Sequence, residues 1–155
     1  MIIVAGILTL IIRASFDTYE SVKSRKDIIV DGSLATKRFT REFRGMTSLI
    51  SAQETSIQFE YHGSDIVTYQ LVDSTLKRQM SGEAQARVLA HNVETANSTF
   101  NYYAQDHSQF SNFPLTFTER ENVWMVELVL RLTDNVSGQS VQYVANAFPE
   151  NFVLN

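Results

Sequence analysis

The side chains able to do chemistry in this 155-residue chain are few and widely spaced. His62, His91 and His107 stand far apart, in no spacing that metal ligands use. Asp106 and His107 are adjacent and together offer a metal two ligands, but an exposed polar loop pair is the simpler reading. Glu119 and Glu121 lie on one side of a turn or strand. Acid–base work would need them to face a substrate, and nothing nearby argues for one. The chain has no cysteine, which removes disulfides, thiolate metal sites and cysteine nucleophiles together. It also has no glycine-rich phosphate loop, GxSxG elbow or HExxH pair. Asn97-Ser98-Thr99 and Asn135-Val136-Ser137 match the glycosylation triplet, a pattern short enough to recur by chance. The expectation is a protein that is not an enzyme, with no cofactor, no metal and no small-molecule substrate.

What such a chain does must then lie in its elements. The net charge of −4 is unevenly spread: residues 1–44 carry eight Lys/Arg against five Asp/Glu, and residues 45–155 carry five against twelve. A basic stem (+3) joined to an acidic head (−7) argues against nucleic-acid binding by the head, because phosphates select a clustered basic face. The basic stretch 23–44 also holds Asp27, Asp31 and Glu42, as a solvated helix face of mixed charge does. The other reading of that stretch is contact with anionic lipid or an acidic neighbour.

Residues 1–12 (MIIVAGILTLII) are apolar apart from Thr9. A bilayer-spanning helix needs roughly 18–20 such residues, so this segment is either a truncated membrane anchor or a packing stem that meets other copies of itself. It lacks the preceding basic segment and the small-residue cleavage site of a secretory signal.

From residue 13 to about 50 the pattern is helical. Ile28, Ala35, Phe39, Phe43, Met46 and Ile50 recur at spacings of three, four and seven and share one face. Ile12, Phe16 and Tyr19 form a similar stripe upstream, and Lys37, Arg38, Arg41 and Arg44 occupy the opposite face. Gly32 lowers helix propensity, so a kink or break is expected at Asp31-Gly32-Ser33, with Ser33 able to cap a second segment. Gly45 is a candidate helix end, although Met46 and Ile50 extend the stripe past it.

Beyond residue 50 the period changes to two. Strands are expected at 56–61, 65–71 and 75–80 as a meander, then at 99–103, 123–133 and 142–148, with residues 105–118 a loop. Residues 88–93 form a short apolar segment that fits either element type. The class is α+β: a long N-terminal helical stem over residues 1–50, apolar first and amphipathic second, packed on an antiparallel β-sheet head over residues 51–155. Phe110, Phe113 and Phe117 either close one end of the core or form an exposed patch for a partner.

This order of elements resembles a type IV pilin-like protein. The local sequence carries the resemblance further: ATKRFTREFR at 35–44, the succession ISAQETSIQFEYHGSDIVTYQLVDSTLKR, then VLAHNV, TFNYY, VWMVELVLRLT and FPENF. It is closest to the J-type minor pseudopilins of type II secretion and related minor pilins, and covers nearly the whole chain. The family's Gly, then Phe-Thr-Leu-x-Glu, does not occur here. Met-Ile-Ile-Val resembles the residues that come directly after that Glu, so the reading frame is expected to start upstream of Met1. The resemblance implies a minor pilin or pseudopilin in the tip or priming complex of a pilus or secretion filament. The alternatives are a major structural pilin and a membrane-anchored exported binding domain. It implies Met1, Ile2, Ile3, Val4, Ala5, Gly6, Ile7, Leu8, Leu10, Ile11 and Ile12 as membrane or filament-core packing residues, with Ala5 and Gly6 permitting close helix contact. Ala35, Phe39, Phe43, Met46 and Ile50 are the expected stem-to-head contacts. The implied partners are other pilin-like subunits and, before assembly, a bacterial inner membrane with the head outside the cytoplasm.

Overall fold

Neither of the chain's two prolines lies in its first third, and the helical pattern runs there without a break in the backbone. In the structure of the protein, a computed structural model that describes residues 2–150, α1 (Ile2–Arg44) is one continuous helix. At ~1.5 Å per residue it is about 65 Å long. The expected kink at Gly32 is absent. Gly32 is buried instead, and a Cβ there would clash with the ring of Tyr143, so the missing side chain serves close packing of helix on strand rather than bending. Thr36 Oγ1 donates back to the Gly32 carbonyl at 2.8 Å.

The helix ends at Arg44, so Gly45, the candidate end, is the stop, and the stripe does not continue to residue 50. A Cβ on Gly45 would strike the Tyr61 ring, and its carbonyl accepts from His62 N–H at 3.1 Å. Met46 and Ile50 therefore lie on a strand, not on the helical stripe. Both residues satisfy a helical spacing and a strand face, and Gly45 decides between the two. The packing role expected of Met1, and of the side chains of Ile2, Ile3, Val4, Ala5, Gly6, Ile7, Leu8 and Ile11, lies outside the described residues, as does the end of the FPENF segment.

The strands form two antiparallel sheets, where one was expected. The first is a meander in sequence order: β1 (Met46–Ala52), β2 (Ser56–Tyr61), β3 (Asp65–Val72), β4 (Thr75–Met80) and β5 (Arg87–Ala90). The second is β6 (Thr99–Tyr103), β7 (Met125–Thr133) and β8 (Ser140–Ala147), with the short helix α2 (Phe117–Glu121) between β6 and β7. The sheets separate because the chain after β5 crosses over: Val93 bridges to Leu132 and Glu94 N–H donates to the Arg131 carbonyl, which delivers β6 to β7 rather than to β5. Phe100 N–H donating to the Glu54 carbonyl (2.8 Å) stitches the two sheets at the other end.

Alternation sends Ile57 and Phe59, Val67, Tyr69 and Leu71, and Val126, Leu128, Leu130 and Leu132 inward. α1 covers this face with Ile28, Ala35, Phe39 and Phe43. Phe39 is central. Its ring centroid lies 5.3 Å from Tyr69 of the first sheet, 5.7 Å from Phe100 of the second and 5.7 Å from Phe43. Truncating a fully buried Phe costs about 3–5 kcal/mol. Phe39→Ala is expected to lower the unfolding free energy by about that much, read by chemical denaturation followed by circular dichroism.

Candidate interaction surface on the long helix

Every described side chain from Leu10 to Glu20 is exposed. Ser24 ties the helix to the head, its hydroxyl donating to Asp134 Oδ1 at 2.6 Å. Asp134 opens the β7–β8 connection and is 2% exposed. It also accepts from Ser137 Oγ (2.6 Å) and Val136 N–H (2.9 Å), while its own carbonyl accepts from Gly138 N–H. Gly138 supplies the left-handed backbone this tight return requires (φ +69°). The hydrogen bonds from Ser137, then Ser24, hold the Asp134 carboxyl down to about 2. Further along, the Asp31 carboxylate accepts from His91 N–H at 3.4 Å.

The helix ends on a buried charge network. Glu42 is 5% exposed and receives Arg38 Nε (3.0 Å), Arg78 Nε (3.2 Å) and the Tyr69 hydroxyl (2.6 Å). Arg78, on β4, is 2% exposed and also donates to Glu83 Oε2 at 2.9 Å, and Arg87 holds the other Glu83 oxygen at 3.1 Å. Burial, then the Glu42 charge, pushes the Tyr69 hydroxyl well above its ordinary value, so it stays a donor. Sequence reasoning missed this network. The available signal was Arg78 itself, which shares the inward face of β4 with Leu76, where a cation requires an acid.

The side of α1 turned away from the head is uncovered. Steps of three and four residues carry Ile12, Phe16, Tyr19, Lys23, Lys26, Val30, Leu34, Lys37, Arg41 and Arg44 along it, and all ten are exposed. Five are apolar, five are basic and none is acidic. Phe16 is 65% exposed, Tyr19 66% and Leu34 60%. None of the five basic residues has an ion-pair partner among the described residues.

The other sequence candidates are scattered. His62 sits in the β2–β3 turn against Tyr61, His91 after β5, and His107 against Trp124. Among the described residues no group of three His, Asp or Glu could hold a metal. Glu119 closes a capping box with Thr116 at the start of α2, a helix whose first residues the sequence pattern assigns to a loop, and Glu121 ends it. The aromatic loop divides: Phe110 and Phe113 pack against the core, whereas Phe117 is 67% exposed. Among the described residues no helix is long and apolar enough to cross a membrane. Comparison with known proteins finds no family model and no curated protein that matches this chain.

These ties have measurable consequences. Glu42→Ala leaves buried Arg78 with one of its two carboxylates and Tyr69 without its acceptor, and is expected to cost about 3 kcal/mol of stability by denaturant titration, against a near-neutral Lys77→Ala at the surface pair with Asp73. Asp134, ordinarily near 3.8, titrates at about 2 when folded, so its contribution is present above the unfolded value and is lost as pH falls through the folded one. Glu94, held by hydrogen bonds from Ser140, Thr133 and Asn97, behaves alike. The thermal midpoint is expected to drop between about pH 4 and pH 2, and less steeply in Asp134→Asn, which starts lower at neutral pH.

Proposed function

We propose that this chain is a minor pilin or pseudopilin, a non-enzymatic subunit in the tip or priming complex of a type IV pilus or type II secretion filament. The observation that carries this reading is the outer side of α1. A helix docked to its own head along one side, yet presenting exposed Phe, Tyr, Leu, Val and Ile along the other, leaves apolar surface that neighbouring chains can cover. The five basic residues on the same side match the acidic balance of residues 45–155, so a head of this kind is a fitting neighbour for such a stem. The order of elements and the residue succession that resemble the J-type minor pseudopilins support the same reading.

In this reading the apolar residues 1–12 hold the stem in the inner membrane before assembly, with the head outside the cytoplasm. Moving that segment from lipid into a filament exchanges one apolar environment for another, so assembly there draws on close helix packing rather than on transfer from water. The contacts between subunits are heterologous, each head meeting its neighbours through two different faces.

The absence of cysteine makes the test direct, because an introduced thiol is unique. Phe16→Cys and Leu34→Cys, each carrying a photoactivatable maleimide crosslinker, are expected to give covalent adducts in the native host with other chains that begin in a long helix, identified by mass spectrometry. Adducts dominated by the chain itself would favour a major pilin. Adducts with lipid alone, or with none of these, would sink both.

A further inference from the structure

The open edge of the first sheet meets a feature that the stem reading does not use. Among the described residues β1 is an edge strand whose ladder partner is β2, and Leu115 N–H caps the Ala52 carbonyl at one end; the β1 register skips Thr47 and Ile50, although the Thr47 hydroxyl reaches the Glu60 carbonyl at 3.3 Å. Such bulges keep an edge from accepting a long flat strand. α2 lies beside this edge, and between the two runs a cleft of about 590 Å³, within the ~300–1,000 Å³ range of ligand sites. Its floor includes Leu49 and Ile50, both half-buried, and its lip is the exposed ring of Phe117. Arg120 lines the same cleft with its guanidinium 5.7 Å from the Phe117 centroid. Its Nε is buried and has no hydrogen-bond partner among the described residues. A buried guanidinium donor without an acceptor is costly, and unpaired buried polar groups are uncommon enough to need an explanation.

We propose that this cleft is a docking site for a short extended protein segment that presents one carboxylate, flanked by apolar side chains, to Arg120. The carboxylate matches the planar guanidinium and gives Arg120 the counter-charge it lacks among the described residues. The apolar neighbours lie on Phe117, Leu49 and Ile50, while the outer edge of β1 offers backbone groups that a peptide can meet and a simple organic acid cannot. The two bulges limit the pairing to a few residues. Glu121, at the same rim, admits a single carboxylate and disfavours an acidic run. The site lies on α2 and β1, away from the outer side of α1, and stands whether or not the chain is a filament subunit.

The test uses the full chain in mild detergent. A random seven-residue displayed peptide library is selected in parallel on the unaltered chain and on Arg120→Gln, whose melting temperature is checked first, with Arg120→Lys as a second variant that keeps the charge and lacks Nε. The expected result is enrichment of peptides carrying one Asp or Glu between apolar residues, binding at least about tenfold more weakly to both variants, as loss of a charge-assisted hydrogen bond predicts. The strongest peptide should move the backbone amide signals of residues 47–50 and the Arg120 Nε–H signal in a ¹H–¹⁵N spectrum, and its Asn or Gln counterpart should not move the latter. No enrichment, enrichment that survives both substitutions, signals moving elsewhere, or sodium acetate moving residues 47–50 as the peptide does would each overturn the proposal.

Discussion

Two sheets, each with one apolar face, share a single helix to cover them, and most of the architecture derives from that shortage. Phe39 meets Tyr69 on one side and Phe100 on the other, so one ring bridges the two sheets. The covering residues need the helix close and in a fixed rotation. Gly32 answers the first need by letting Tyr143 of β8 lie against the helix backbone. Rotation matters because Ile28, Ala35, Phe39 and Phe43 occupy one narrow side, and a turn of a single residue would replace Phe39 and Phe43 with Thr40 and Arg44 or with Arg38 and Glu42.

The Glu42 network fixes that rotation by chemistry that apolar contacts lack. Apolar surfaces slide past one another at little cost, whereas a carboxylate that must receive Arg38, Arg78 and Tyr69 together has one productive position. Burying the pair is a poor source of net stability, since desolvation offsets much of the attraction. Its contribution is to make shifted packings of helix on sheet expensive. Ser24 and Asp134 make the same kind of contact at the point where the helix leaves the head, so the docked half of α1 is anchored by directional bonds at both ends.

Where a pattern was strictly local, the residues announced it. The strands at 56–61, 75–80 and 99–103 agree with β2, β4 and β6 residue for residue, because alternation and flanking turn residues both point the same way. On β3 it is the covering helix that makes the Val67, Tyr69 and Leu71 side the core side. What stayed hidden depended on contacts distant in sequence. Gly32 looked like a helix breaker because propensity knows nothing of Tyr143. Met46 and Ile50 fit the helical stripe because a spacing of four suits a helix side and a strand face alike, and the Tyr61 ring that excludes a side chain at position 45 comes sixteen residues later. The division into two sheets turned on the bridge from Val93 to Leu132, invisible to periodicity. Of the interaction surface, the upstream stripe of Ile12, Phe16 and Tyr19 was legible. Its continuation through Val30 and Leu34 was not, because only the docked side reveals which side is free. Arg120 gave no signal at all, since its orphaned donor exists only once α2 has folded against β1.

The portion of α1 that precedes Ser24 makes the molecule a mechanical amplifier. From the Ser24–Asp134 bond to Ile2 the helix backbone runs about 33 Å, at ~1.5 Å per residue. Over that arm a tilt of about 10° at the seam displaces the tip by ~6 Å, a large part of the ~8–10 Å that separates packed helices. Angular slack that a short helix would tolerate becomes misalignment by most of a helix diameter at the far end. The seam between head and helix therefore works as a goniometer, setting direction for residues it never touches, and the directional bonds at Ser24 and Glu42 are where that angle is set.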